Sequence, residues 1–244
     1  MQTKKQHTCF IPPTDPNIPI WRYMDFTKYV SILETQALFF SRADKLEDPY
    51  EGATSHINAT IRPLVYKNIP IEKIAALSRL SNSFRQWTYI NCWHMNYYES
   101  SAMWKLYGAF AGSVAIRSTY GILSKCLADE AYVGIVNYID YDKDWLPEGN
   151  AFWPYVHKRK SFEYERELRA IIQEWPTTNG KYDDKKKNEK NGKMVKIDIN
   201  KLIGKVYISP TATEWFAELV STITKKYGFN FKVEQSILAK DPVY

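Results

Sequence analysis

Apolar side chains recur at a period of two residues in some segments of the chain and at helical spacing in others. This pattern predicts alternating strands and helices. Runs of aromatic and β-branched residues predict strands near residues 21–24, 37–41, 89–94, 113–117, 132–141, 205–209 and 229–233. Helical spacing predicts helices near residues 26–34, 54–86, 101–110 and 213–226. Together they predict a single α+β domain over residues 21–244, with a twisted, mixed or mostly antiparallel sheet flanked by helices and a C-terminal strand-helix-strand unit. Residues 1–20 contain four prolines and no periodicity, which indicates an extended N-terminal arm.

The stretch over residues 158–172 combines this strand pattern with an unusual number of charges. At period two, Glu163, Glu165, Glu167 and Arg169 share one face of a predicted strand. Carboxylates at that spacing repel one another and raise one another's pKa unless cations or a polar ligand lie opposite. The face is therefore a candidate site. A solvated edge strand, or a short helix with Glu163 and Glu167 on one turn, would explain the same pattern without a function.

The charge balance of the chain favours an anionic partner. Lys and Arg number 33 against 27 Asp and Glu in 244 residues, a net charge of +6. A nucleotide, a nucleic acid or another anionic macromolecule would fit this excess. Positive charge is dense in residues 179–193, which have Lys185, Lys186 and Lys187 at their centre. We interpret this segment as a basic, flexible hairpin tip, and a nucleic-acid contact is the alternative.

Several classes of protein are disfavoured by composition. Three cysteines without a CxxC pair and four histidines without ligand spacing predict neither a disulfide framework nor a metal site. Ten glycines include no P-loop or dinucleotide fingerprint. The N-terminus is polar and no apolar run reaches the ~18 residues of a membrane span. We therefore expect a cytoplasmic protein with no membrane partner.

The remaining polar residues suggest chemistry on NAD. Arginines such as Arg22 and Arg42 can clamp a pyrophosphate, and a serine such as Ser41 can orient a ribose or an amide. A carboxylate such as Glu167 can stabilise an oxocarbenium-like centre as a glycosidic bond breaks. These are the requirements of a transfer that releases nicotinamide.

Five blocks of the chain resemble the bacterial domain of unknown function 2971 family over about residues 20–237. They are Trp21-Arg22-Tyr23, Leu38-Phe39-Phe40-Ser41-Arg42 with Asp48-Pro49-Tyr50-Glu51-Gly52, Cys92-Trp93-His94, Met103-Trp104-Lys105-Leu106-Tyr107, and Tyr164-Glu165-Arg166-Glu167-Leu168-Arg169. Their order also distantly resembles the ADP-ribosyltransferase fold, in which an early Arg or His, a Ser or Tyr and a late Glu-x-Glu motif bind NAD.

The second resemblance implies an NAD-dependent ADP-ribosyltransferase-like enzyme that acts on a nucleic acid or a protein, in phage defence or a toxin system. Glu167 would be the catalytic carboxylate and Glu165 would orient the acceptor. The candidate cofactor-binding residues are Arg22, Tyr23, Ser41, Arg42 and Trp104. If the glutamates repel one another in an empty cleft with Arg22, Arg42 or Arg169 as partners, Glu167→Gln should raise the melting temperature and abolish function, which is the outcome we predict. In the alternative, a structural ion pair, the same change should lower stability because an arginine would be left buried without its partner.

A non-catalytic protein is the other hypothesis. The net positive charge and the lysines of residues 179–193 would suit a binding module or an antitoxin-like regulatory partner that contacts nucleic acid or an acidic protein.

Overall fold

The computed structural model describes residues 7–108, 112–183 and 185–243. Residues 1–6 of the predicted arm, residues 109–110 of a predicted helix and Asp184 of the predicted basic tip lie outside the described residues. The strands are β1 (Pro19–Asp25), β2 (Ala37–Arg42), β3 (Thr88–Met95), β4 (Ser113–Thr119), β5 (Tyr132–Ile135), β6 (Asn137–Ile139), β7 (His157–Arg159), β8 (Glu167–Gln173), β9 (Thr177–Thr178), β10 (Lys181–Tyr182), β11 (Gly192–Lys196), β12 (Lys205–Ile208) and β13 (Lys232–Gln235).

The helices are α1 (Phe26–Thr35), α2 (His56–Val65), α3 (Ile71–Phe84), α4 (Ser101–Tyr107), α5 (Tyr120–Cys126), α6 (Ile199–Leu202) and α7 (Glu214–Lys226). Short 3-10 helices cover Ala43–Lys45, Trp153–Tyr155, Lys160–Glu165 and Ile237–Ala239. The predicted helix over residues 54–86 is two helices, because Pro70 occupies the N-cap of α3 with an extended ψ of 140°. Within the described ranges, no helix has both the length and the apolar character to cross a membrane.

The chain forms two compact units. The first contains residues 7–12, 39–91 and 130–193, and the second contains residues 13–38, 92–129 and 194–243. Each unit is assembled from three separate chain segments, and β2 and β3 have residues in both. Neither unit is a continuous length of chain.

The second unit is built on antiparallel pairs. Strand β1 pairs with β4 from Pro19↔Thr119 to Asp25↔Ser113, and with β3 at Trp21↔His94. Strand β12 pairs antiparallel with β4, and parallel with β13. A parallel pair needs a crossover connection, which α7 provides. The predicted α+β class, with its mostly antiparallel sheet, flanking helices and C-terminal strand-helix-strand unit, is confirmed.

The first unit contains a strand with partners on both sides. Strand β8 pairs antiparallel with β5, from Tyr132↔Ile171 to Ile135↔Leu168, and also pairs with β3. Six of its seven residues, those numbered 167–172, are buried, as expected for a strand covered on both faces. Strands β6 and β7 form a separate parallel pair that begins at Asn137↔His157. Charged residues on β7 and β8 are therefore held in the interior of this unit.

The lysine-rich segment follows a small hairpin rather than forming its tip. Strands β9 and β10 are joined by Asn179 and Gly180, whose φ angles of 52° and 76° suit the left-handed positions of a tight turn. Lys185, Lys186 and Lys187 come after β10 and are exposed. The predicted turn is present, but it lies at the start of residues 179–193.

Candidate functional site

The two late glutamates lie on either side of a break in the chain's conformation. Lys160–Glu165 form a 3-10 helix, and Arg166 then adopts a left-handed conformation with φ 42° before β8 begins at Glu167. This break buries Glu165 and Glu167 and leaves Glu163 exposed. The predicted continuous strand with three glutamates on one face is therefore wrong. The solvated edge strand is also wrong, because β8 is paired on both sides.

Buried cations surround the two glutamates. Lys158 Nζ donates to Glu165 Oε2 at 2.5 Å and to Glu167 Oε1 at 2.6 Å. Arg169 Nε donates to Glu167 Oε2 at 2.5 Å, and its two terminal nitrogens donate to Glu51 Oε1 at 2.5 Å and Oε2 at 2.7 Å. These five residues, which we call the carboxylate cluster, are each exposed by 7% or less. The cluster is a set of ion pairs in the interior of the first unit.

The local structure explains why these side chains meet. Glu167 and Arg169 are alternate residues of β8 and share a face, while Lys158 lies on β7. Glu51 comes from a loop whose next residue, Gly52, has φ 75°. A Cβ at Gly52 would lie 2.5 Å from Cε1 of Tyr155, so only glycine fits there. Gly52 thus allows the loop to carry Glu51 to Arg169.

The charges of the cluster do not balance unless one carboxyl group holds a proton. Three carboxylates face two cations, which leaves one negative charge in excess. Burial, a hydrogen bond with Glu167 and the charge of Glu167 raise the pKa of Glu165 from 4.5 to about 7, although Lys158 opposes the rise. Burial also opposes the charge of Glu167, but Arg169, the Glu165 hydrogen bond and Lys158 hold its pKa well below the ordinary range. Glu165 is thus the proton carrier, and Glu167 stays ionised.

Sequence reasoning missed two members of the cluster, Lys158 and Glu51. Lys158 lies in the charged stretch that drew attention to the glutamates, but the residue pattern did not assign it a partner, whereas Arg169 shares the predicted face of the glutamates and is a candidate partner for them. Glu51 lies in the block Asp48-Pro49-Tyr50-Glu51-Gly52, and the structure gives this loop a role. Asp48 Oδ1 accepts a hydrogen bond from Arg159 Nη2 at 2.7 Å, so two acids of the loop are paired with cations near β8. The four acids of this loop, Asp44, Glu47, Asp48 and Glu51, were the available signal.

Ser41 and Arg42 lie in the first unit with other partners. Arg42 is buried and donates from Nε and Nη2 to the two carboxylate oxygens of Asp44, each at 2.7 Å. Its Nη1 also donates to the backbone carbonyls of Asn188 and Lys190. The Ser41 hydroxyl donates weakly to the carbonyl of Arg42 at 3.4 Å. Arg42 therefore anchors the segment that follows the lysines, and the cofactor role predicted for both residues stays a prediction.

The other predicted cofactor-binding residues belong to the second unit. Arg22 Nη1 donates to the carbonyl of Cys92 at 2.7 Å. The Tyr23 and Trp104 rings pack edge to face with centroids 4.9 Å apart, and both are buried. The Tyr23 hydroxyl accepts from the backbone N–H of Ser100 at 2.9 Å. Tyr23 and Trp104 are thus core residues of this unit, and a role in cofactor binding remains a prediction for all three.

Comparisons with known proteins identify no family for this chain. No family model matches it, so the expected membership of the domain of unknown function 2971 family is not confirmed. No curated protein matches it. Within the described residues, no group of three or more His, Cys, Asp and Glu side chains could hold a metal ion.

Solved structures of Thermus sp. 2.9 DarT resemble the chain at low similarity, each with a TM-score of 0.43. The complex with carba-NAD+ is 9% identical, over 93% of this chain and 98% of that chain. The complex with NAD+ is 9% identical, over 92% and 96% respectively. The complex with ADP-ribosylated ssDNA is 10% identical, over 93% and 97%. A likeness at this level does not establish a common function.

Replacing Glu167 should destabilise the protein. A raised melting temperature is the prediction for carboxylates that repel one another in an empty cleft, but Glu167 binds two buried cations, which is the arrangement of the alternative, a structural ion pair. Glu167→Gln would remove a carboxylate that binds both Lys158 and Arg169, and Glu165 would have to ionise to balance the second cation, at a cost of about 1.5–3 kcal/mol in the free energy of unfolding. Urea unfolding at pH 7 measures this change in the free energy of unfolding. Exposed Glu163→Gln is the control and should change stability by less than about 0.5 kcal/mol. A stabilised Glu167→Gln protein would contradict the ion pairing.

Glu165 should give stability a pH dependence of defined sign. Between its ordinary pKa of 4.5 and its folded pKa of about 7, the folded chain holds a proton that the unfolded chain has lost. This stabilising contribution is complete below pH 4.5 and is lost as the pH rises to about 7. Glu165→Gln cannot ionise, so its free energy of unfolding should lack this decline, which is at most about 1.4 kcal/mol per pH unit.

Urea unfolding across that pH window tests the assignment, with Glu163→Gln as the variant that should keep the slope of the unchanged protein. If Glu165→Gln also keeps that slope, Glu165 is ionised in the folded state and does not carry the proton.

Proposed function

We propose that this protein is an NAD-dependent ADP-ribosyltransferase-like enzyme whose reacting carboxylates are Glu165 and Glu167. The observation that carries the proposal is the pair itself: two adjacent carboxyl groups whose pKa values are pushed in opposite directions. Environments that push the pKa values of two neighbouring groups apart in this way are typical of enzymes in which one group acts as the acid and the other as the base.

The two carboxyl groups meet different requirements of glycosyl transfer. When the bond between ribose and nicotinamide breaks, positive charge develops on the ribose, and the ionised Glu167 would stabilise it. The acceptor then forms the new bond to ribose and gives up a proton. Because the pKa of Glu165 is about 7, a substantial fraction of this carboxyl group is ionised near neutral pH, and that fraction can take the proton. Lys158 would be a positioning residue, since its ammonium group holds one oxygen of each carboxylate.

The reaction requires a change in the segment that covers the pair. Glu165 and Glu167 are 3% and 5% exposed, so NAD cannot reach them in this conformation. The 3-10 helix Lys160–Glu165 carries Phe162, whose ring centre lies 4.6 Å from the ammonium nitrogen of Lys158 and 5.2 Å from Cζ of Arg159. Opening the part of this short helix around Phe162, with Glu165 kept on Lys158, would give up these two cation–π contacts, each worth about 0.5–2 kcal/mol. This opening would be the conformational step that admits NAD.

The other roles in the proposal follow the resemblance to ADP-ribosyltransferases. Arg22 would bind the pyrophosphate of NAD and Ser41 its nicotinamide ribose, with Tyr23, Arg42 and Trp104 in the same set. The acceptor would be a nucleic acid or a protein, and the setting would be phage defence or a toxin system.

Nicotinamide release from NAD tests the proposal. The protein should release nicotinamide and transfer labelled ADP-ribose to a macromolecule in cell extract, and Glu165→Gln and Glu167→Gln should each lower the rate by about a hundredfold or more. Assays are run below the melting temperature of each variant, so that unfolding does not imitate a loss of chemistry. Glu163→Gln, two residues away and exposed, should keep full activity.

Absence of release and transfer with the unchanged protein would contradict the proposal. Equal activity in Glu165→Gln and the unchanged protein would remove Glu165 from the reaction.

A second candidate function, nucleic-acid binding without catalysis, is favoured by one surface. The rings of Trp175 and Tyr182 lie 5.9 Å apart and are 58% and 45% exposed. Lys185 and Lys187 are exposed on the same part of the chain, and Lys186 lies 5.8 Å from the ring centre of Trp87. Exposed aromatics beside lysines suit the bases and phosphates of a single strand. Sequence reasoning missed this arrangement because Trp175 and Tyr182 are not interleaved with the lysines along the chain.

The salt dependence of binding tests this surface. If Lys185 and Lys187 each contact a phosphate of single-stranded DNA, the double change to Ala should lower the slope of log affinity against log salt by about 1.4, roughly 0.7 per contact. The matched control changes Lys225 and Lys226, two exposed lysines at the end of α7, to Ala and should keep the slope. Equal slopes for all three proteins would show that the surface does not bind phosphates.

A further inference from the structure

The first unit contains a cavity of about 370 Å³ outside the carboxylate cluster. It is lined by residues of α2 and α3, by residues 146–151 and by Pro154, Tyr155 and Trp175. Cavities of about 300–1,000 Å³ are the usual size of small-molecule sites. The volume is therefore sufficient for a compact ligand of one or two rings.

Aromatic side chains form the apolar part of the cavity. Phe84 is 4% exposed and packs edge to face with Trp175, with ring centroids 4.7 Å apart and an interplanar angle of 89°. Tyr155 is also buried in the lining. Trp175 is 58% exposed, so part of its ring remains open to a partner beside its contacts with Phe84 and Tyr182. Flat aromatic ligands suit such walls, because aromatic rings gain from both edge-to-face and offset-stacked contacts.

An ion pair supplies the polar part of the lining. Glu148 Oε1 accepts from Arg62 Nε at 2.7 Å and from Asn58 Nδ2 at 2.8 Å, while Oε2 accepts from the Tyr66 hydroxyl at 2.5 Å. Burial opposes the charge of Glu148, but hydrogen bonds from Tyr66, Asn58 and Arg62 lower its pKa, so the carboxylate is ionised at neutral pH. Both Arg62 and Glu148 line the cavity and are largely buried.

Counting hydrogen bonds shows capacity left on both members of the pair. A carboxylate has about four acceptor positions, and the bonds above occupy three, which leaves one on Oε2 of Glu148. Arg62 has five N–H groups; one binds Glu148, and two make long bonds of 3.3 Å to Ser78 and 3.4 Å to Thr54. The lining thus offers an acceptor and spare donors side by side.

We propose that this cavity binds a heteroaromatic ring bearing an amino or carboxamide group, whose N–H donates to Glu148 and whose acceptor atom receives a hydrogen bond from Arg62. The ring itself packs against Trp175 and Phe84. A donor and an acceptor on one edge of a flat ring are found in aminopurines and in pyridine carboxamides, and the shared chemistry defines the ligand class. The site does not depend on the transferase proposal, since it uses none of the residues of the carboxylate cluster.

Calorimetric titration of the full chain with two matched ligand pairs tests the polar contact. Adenine is compared with purine, and nicotinamide with pyridine, because the second member of each pair lacks the amino or carboxamide group. In at least one pair, the substituted ring should bind with a Kd below about 1 mM and at least about tenfold more tightly than the bare ring. Binding in the adenine pair alone identifies a purine ligand, and binding in the nicotinamide pair alone identifies a pyridine carboxamide.

Two variants place the binding in this cavity. Glu148→Gln keeps the shape but changes the acceptor, and should remove most of the difference between substituted and bare rings. Ser81→Phe, on the lining of α3, fills the cavity and should weaken binding at least about tenfold by excluding the ring. Glu218→Gln, on the exposed surface of α7, is the matched control and should bind as the unchanged protein does.

The melting temperature of each variant confirms that it is folded before titration, and Ser81→Phe decides the question if Glu148→Gln does not fold. The proposal would be overturned if neither adenine nor nicotinamide binds with a Kd below about 1 mM. It would also be overturned if Ser81→Phe leaves the binding unchanged.

Discussion

The need to neutralise one buried guanidinium organises the first unit. Arg169 is fully buried on a strand that has partners on both sides, where an unpaired charge would cost several kcal/mol. Glu51 meets two of its nitrogens and Glu167 a third. Because Glu51 comes from a loop and Glu167 from the start of β8, the same charge fixes both pieces of chain. Lys158 adds a second cation and draws Glu165 into the group. The conformation of the 3-10 helix before β8 is thus coupled to the ion pairs within the unit.

The same contacts explain why stability and reactivity are linked here. The carboxylate cluster has one acid more than it has cations, so it holds a proton on Glu165 with a pKa of about 7. A group poised in this way is suited to proton transfer, while Glu167 keeps its charge because Arg169 and Lys158 face it. The pairing that sets these two pKa values also buries the carboxyl groups. A substrate can reach them only if some of the contacts that stabilise the folded state are given up, which is a common relation between stability and activity.

Other features of the first unit are arranged around Tyr155. Its carbonyl accepts from Arg169 at 2.9 Å, and its ring occupies the space that a side chain at Gly52 would need. The same residue lines the cavity that contains Arg62 and Glu148. In the second unit, by contrast, the aromatic residues predicted to bind a cofactor pack together in a core, as the short distance between the Tyr23 and Trp104 rings shows.

The sequence by itself determined the α+β class and the C-terminal strand-helix-strand unit, because those features depend on local periodicity. It also drew attention to Glu165 and Glu167, since carboxylates at that spacing on one face of a strand repel one another unless cations or a polar ligand lie opposite. Only the tertiary structure decided which side chains the glutamates contact. The left-handed Arg166 broke the expected strand and sent Glu163 to the surface, and Glu51 arrived from a loop more than a hundred residues away. Pairing of buried charges depends on contacts between distant segments, and a periodic pattern along the chain carries no information about those contacts.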